Sequence, residues 1–136
     1  MRYSFWRSAL ADYVDDVKAQ PFAWGTFDCA LFAAGAVNVM TGADIGADHR
    51  GKYKTLAGGL KRLKAAGFAN HADYAASLFE EIHPSHAQVG DIAAIKATDA
   101  GLYALGVVQG PRILFVRQEG GLGSVDLLTA ERAFKV

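Results

Sequence analysis

The residues best suited to chemistry are a single cysteine, Cys29, and four histidines, His49, His71, His83 and His86. A thiolate attacks carbonyl carbon readily, and a neighbouring imidazole can take its proton and return it. Cys29 follows Pro21-Phe22-Ala23-Trp24-Gly25-Thr26-Phe27-Asp28 and leads into the apolar run from Ala30 to Met40. A glycine-containing turn thus delivers the thiol to the first turn of a buried helix. Unpaired backbone N–H groups and the positive end of the helix dipole favour a thiolate there. The N–H of Cys29 itself could contribute to an oxyanion hole. Asp28 reads first as the helix N-cap and only second as a catalytic group, because aspartate is among the strongest caps. Trp24 reads as a wall of the cleft or a core aromatic, and Gly25 as the freedom the turn needs.

Each histidine is a candidate base with a plainer alternative. His49 lies in the Asp- and Gly-containing loop after the apolar helix, as a solvated loop residue that could also fold back towards Cys29. His71 opens a later helix and is expected to be exposed. His83 and His86 flank Pro84, which marks a surface turn, though both could lie near one end of a sheet. One cysteine with scattered histidines has no recognised zinc spacing, so neither a metal nor a cofactor is expected. A cysteine at a helix start is also a good small core residue, and that reading stays open beside the nucleophile.

The elements that must position these groups are legible as helices first and strands second. Trp6, Ala9, Leu10, Tyr13, Val14 and Val17 recur at helical spacing, which predicts an amphipathic helix from Ser4 to Lys18, capped by Ser4 and ended before Pro21. The helix from Asp28 is apolar almost all round, hence central, and Thr41-Gly42 stops it. Thr55 caps a third helix with a basic outer face and Gly67 at its end; a fourth runs from Ala72 to Leu78 after Asn70. Past Pro84 come β-rich runs at 89–96, 102–109, 112–117 and 124–127, separated by turn clusters at 98–101, at Gly110-Pro111 and at Gly120 to Gly123. Without βαβ alternation this is an α+β chain with a small antiparallel sheet.

At 136 residues, 51% of them apolar, the chain suits a single domain, 1–136, with a real core. Fourteen basic residues balance 14 acidic ones, so no global field points to nucleic acid or anionic membrane. One cysteine excludes an intramolecular disulfide. The charged N-terminus is unlike a signal peptide, and no run reaches the roughly 18 apolar residues of a membrane span. Synthesis in the host cytoplasm is therefore expected.

Trp24-Gly25-x-x-Asp28-Cys29, followed about sixty residues later by Gly90-Asp91 entering a strand, resembles the NlpC-type branch of papain-like cysteine peptidases. More narrowly, these residues with Met40-Thr41-Gly42, Arg50-Gly51-x-Tyr53-x-Thr55, Ala104-Leu105-Gly106-Val107 and Arg132 to Val136 resemble a family of small phage and alphaproteobacterial proteins. The first resemblance implies a papain-like fold with Cys29 as nucleophile and a histidine at the start of the second core strand as base. The second implies a place among phage or gene-transfer-agent tail proteins, with tail-tip proteins as partners, peptidoglycan peptides as ligands, and incorporation into a phage-like particle.

The strand position that should carry the base is Ala104. Alanine cannot take a proton, and loss of one triad member typically costs orders of magnitude in rate. On the sequence alone the favoured reading is a tail-tip or assembly component on a decayed peptidase fold. The alternatives are an active cysteine peptidase or amidase, with His83, His86 or His49 recruited as base, and a cleft that binds peptide without cutting it.

Overall fold

The computed structural model describes residues 1–97 and 102–136; the turn cluster expected at 98–101 lies outside them. Among the described residues four helices, α1 (Trp6–Val17), α2 (Cys29–Thr41), α3 (Leu56–Ala65) and α4 (His71–Leu78), precede the whole sheet. Six strands follow: β1 (Glu80–Ile82), β2 (Ile92–Lys96), β3 (Tyr103–Gln109), β4 (Arg112–Val116), β5 (Leu122–Asp126) and β6 (Arg132–Lys135). They form one antiparallel sheet in the order β1-β6-β2-β3-β4-β5, with Ile92 opposite both Val107 and Phe134.

The helical boundaries follow local chemistry. Asp28, Thr55 and Asn70 each accept a backbone N–H three residues on, from Leu31, Gly58 and Asp73, and so cap α2, α3 and α4. Gly42 ends α2 in the left-handed region, at φ +83°. The expected Ser4 cap is not used. The residue before α1 is Phe5, which makes no side-chain cap, and the Ser8 hydroxyl donates to the Phe5 carbonyl instead.

Two strands escaped the periodicity. β1 and β6 are only 3 and 4 residues long, too short to display an alternating pattern, yet β6 is hydrogen-bonded on both sides, to β1 and β2. Leu122 and Gly123, expected in a turn, instead begin β5 opposite Val116 and Phe115. Both are held there by β4 as a template.

Strand alternation sends Ile92, Ala94, Leu105, Val107, Val116 and Phe134 towards the helices, where they meet Phe32, Val37 and Met40 of α2. Phe32 and Met40 are 0% exposed, so α2 is the central helix its composition implied. A smaller cluster of Ala93, Val108, Ile113 and Ala133 covers the opposite sheet face, closed by Ala87 and Ala130 from two short 3-10 turns.

The Gly90-Asp91 pair serves a clasp between the chain ends. The Arg2 guanidinium donates to an Asp91 carboxylate oxygen (2.9 Å), the Val89 carbonyl (2.9 Å) and the Val136 carbonyl (3.1 Å). Asp91, 3% exposed, also accepts the N–H groups of Gln88 and Val136. Gly90 has φ +91°, and a Cβ there would lie 2.8 Å from both an Arg2 nitrogen and the Met40 sulfur. The glycine makes room for the guanidinium. Among the described residues, no helix is long and apolar enough to cross a membrane.

Candidate active site

The turn before α2 closes on itself. Ala23 and Phe27 exchange backbone hydrogen bonds (3.0 and 2.8 Å), and Gly25 at its tip takes φ +80°. A Cβ on Gly25 would sit 1.9 Å from the Tyr53 carbonyl oxygen, so only glycine lets this segment pass so close. Asp28, 2% exposed, ties the turn to the helix. One carboxylate oxygen accepts from Leu31 N (2.9 Å); the other accepts from Gly25 N (3.0 Å) and from the Tyr53 hydroxyl. With both oxygens committed, Asp28 acts on Cys29 by position and charge. Burial and the Asp28 hydrogen bond push the Tyr53 hydroxyl far above its ordinary value, so it remains a donor.

Cys29 is the first residue of α2, and its N–H has no acceptor within the helix. The thiol donates to the Val116 carbonyl at the end of β4, at 3.5 Å. Burial pushes the thiol up to about 11, and the Asp28 carboxylate acts in the same direction. Burial outweighs the opposing hydrogen bond with Val116, so the resting group at neutral pH is a thiol, where the helix start by itself favours a thiolate. Attack on a carbonyl therefore requires a proton acceptor.

Cys29 opens into a cleft of about 500 Å³. One wall is Trp24, packed edge-on against Phe22 with ring centres 4.7 Å apart. Leu56 and Leu60 of α3, Tyr103 to Leu105 of β3, and Phe115 to Glu119 at the end of β4 form the rest. Ala104 lines the cleft and brings only a methyl group to it.

The three bases considered most closely in the sequence do not line this cleft. His83 and His86 are exposed in a 3-10 turn beside β1; His83 bonds Ser85, and His86 borders a separate pocket with Arg2 and Asp91. His49 is half-buried, edge-on to Tyr74 at 5.3 Å, and borders a smaller cavity of about 50 Å³ beneath the cleft. The histidine that does line the Cys29 cleft is His71, at the first turn of α4. It was expected to be exposed and is instead half-buried, because α4 packs onto β3. The asparagine cap marked where α4 begins, but no local signal marked which way its first residue turns, because that depends on the docking of α4 on β3.

A helix-borne cysteine packed against an antiparallel sheet, with a cleft beside it, is the arrangement of a papain-like α+β fold. The crystal structure of the NlpC/p60 domain of the peptidoglycan hydrolase SagA superposes on this chain with a TM-score of 0.61 and 17% sequence identity. The match covers 95% of this chain and 97% of that one. The chain belongs to the DUF6950 family, a domain of unknown function whose model matches residues 1–136. No curated protein matches the sequence.

Proposed function

We propose that this protein is a thiol-dependent peptidase or amidase of peptidoglycan peptides, with Cys29 as nucleophile, made in a host cytoplasm and carried in a phage-like tail. The observation that carries the chemistry is the Cys29 cleft: a thiol at a helix start, an N–H beside it with no partner among the described residues, and a histidine lining the same cleft. In the reaction the sulfur attacks an amide carbonyl, and the oxyanion is held by the Cys29 N–H. Trp24, Leu56 and Leu60 supply apolar surface for the peptide on either side. Peptidoglycan as the substrate class rests on the likeness to the SagA domain, and the tail setting on the sequence resemblance alone.

Release of soluble peptides from purified peptidoglycan tests the reading. The native protein should release them and Cys29→Ala should not. Failure of the native protein to release any fragment on prolonged incubation would overturn it.

The reading favoured by the sequence, a tail-tip component with a decayed centre, has one specific observation behind it. The thiol is protonated and bonded to the Val116 carbonyl, and the strand position for a base is Ala104. Under that reading the protein persists in purified particles, and particles lacking it are defective even when Cys29→Ala particles are not.

A further inference from the structure

The geometry points to His71, on α4, as the proton acceptor for Cys29, so that the imidazole reaches the cleft from the helical layer where strand β3 carries only Ala104. This rests on Cys29 being the nucleophile.

Three placements support it. His71 and Cys29 line one cleft, and both open a helix. Ala30 and Leu105, the residues after Cys29 and after Ala104, border both that cleft and the smaller cavity, and His71 borders both with them. Among the described residues the His71 ring makes no hydrogen bond, and neither ring nitrogen is sealed from solvent, so both are open to a new partner.

The electrostatics suit a base that is neutral before reaction. Burial lowers the His71 pKa, and the Asp28 carboxylate opposes that shift. Asp28 at the start of α2 and His49 from the segment between α2 and α3 act on the ring directly, and Cys29, Tyr53 and Tyr74 line the two cavities with it. Tyr103, Arg117 and Glu119 lie across the cleft. His49 disfavours the imidazolium, and Asp28 favours it, so Asp28 is the group that steadies the ring once it has taken the proton.

The step balances without any redox partner. The Cys29 S–H proton passes to a ring nitrogen of His71 as the sulfur bonds to the amide carbon. Collapse breaks the C–N bond, and the proton leaves on the departing amine. Water then attacks the thioester, gives its proton to His71, and releases the carboxylic acid; His71 returns the proton to the sulfur.

Two measurements on the full chain test the assignment. The first compares peptide release by the native protein, His71→Ala and His71→Gln. A loss of about 100-fold or more in kcat/KM with partial rescue of His71→Ala by added imidazole is expected; activity within about threefold of native in both variants overturns the assignment and leaves Cys29 as nucleophile. The second needs no substrate. The rate of Cys29 alkylation by iodoacetamide is followed from pH 4 to 11. A histidine acceptor gives a first rise below the ordinary histidine pKa, a plateau, and a second rise towards the thiol's own. His71→Gln should erase the first rise and keep the second. If native protein and His71→Gln give superimposable single-step profiles, His71 is not the acceptor, whatever becomes of the peptidoglycan reading. If peptide release fails but the two-step profile holds, the substrate class is wrong and the proton path stands.

Discussion

Replacing Asp28 by alanine strikes the junction that holds the nucleophile's helix. The carboxylate caps α2 through Leu31 N, fastens the turn through Gly25 N, and receives the Tyr53 hydroxyl, while being 2% exposed. Loss of an N-cap costs about 1 kcal/mol. Gly25 is buried, so its freed N–H adds about 1–3 kcal/mol, and the half-buried Tyr53 hydroxyl adds about 1 kcal/mol. Relief of carboxylate desolvation offsets part of this, leaving a net loss of about 2–4 kcal/mol. That is a large fraction of a domain's stability. Urea denaturation with an unchanged slope measures it. Asp28→Asn keeps one acceptor oxygen and should lose about half as much. A double-mutant cycle with Tyr53→Phe should give a coupling of about 1 kcal/mol. The same substitution removes a negative charge beside the thiol, so any folded Asp28→Ala protein should react faster with iodoacetamide at pH 8. A loss under about 1 kcal/mol with no coupling to Tyr53 would refute the account.

Other substitutions test separate parts of the structure. Gly25→Ala combines φ +80° with a 1.9 Å approach to the Tyr53 carbonyl, so it should cost several times the roughly 1 kcal/mol of Gly67→Ala, where φ is +94° and the space is open; thermal melts compare them. Arg2→Ala leaves the buried Asp91 carboxylate without its guanidinium and should cost about 2–4 kcal/mol, with hydrogen exchange quickening at Val136 and at the β2 start. The Cys29 thiol has a folded pKa of about 11, above its value in an unfolded chain. Its contribution to stability is therefore complete below the unfolded value and is lost as pH rises towards 11. Cys29→Ser should flatten that alkaline fall, as seen in urea midpoints at pH 8 and pH 10.5.

The local code around Cys29 was open to reading in the chain itself. Asp28, Thr55 and Asn70 cap helices because their side chains reach only a few residues along the backbone, and a short-range bond of that kind leaves a mark in sequence spacing. The apolar run after Cys29 marked the central helix for a similar reason: a helix without a polar face has nowhere to go but inside. The helix-then-strand order likewise announced an α+β fold. What only the tertiary structure decided depends on contacts between distant residues. β6 exists because β1 and β2 flank it, and the Gly90-Asp91 pair proved to anchor Arg2 across most of the chain length. Cys29 is a thiol at rest because burial, with Asp28 beside it, holds its pKa up, an effect of packing that a motif does not record. The histidine beside the cleft is His71 because α4 docks on β3, while the histidines that looked better placed by sequence lie elsewhere on the surface or beneath the cleft.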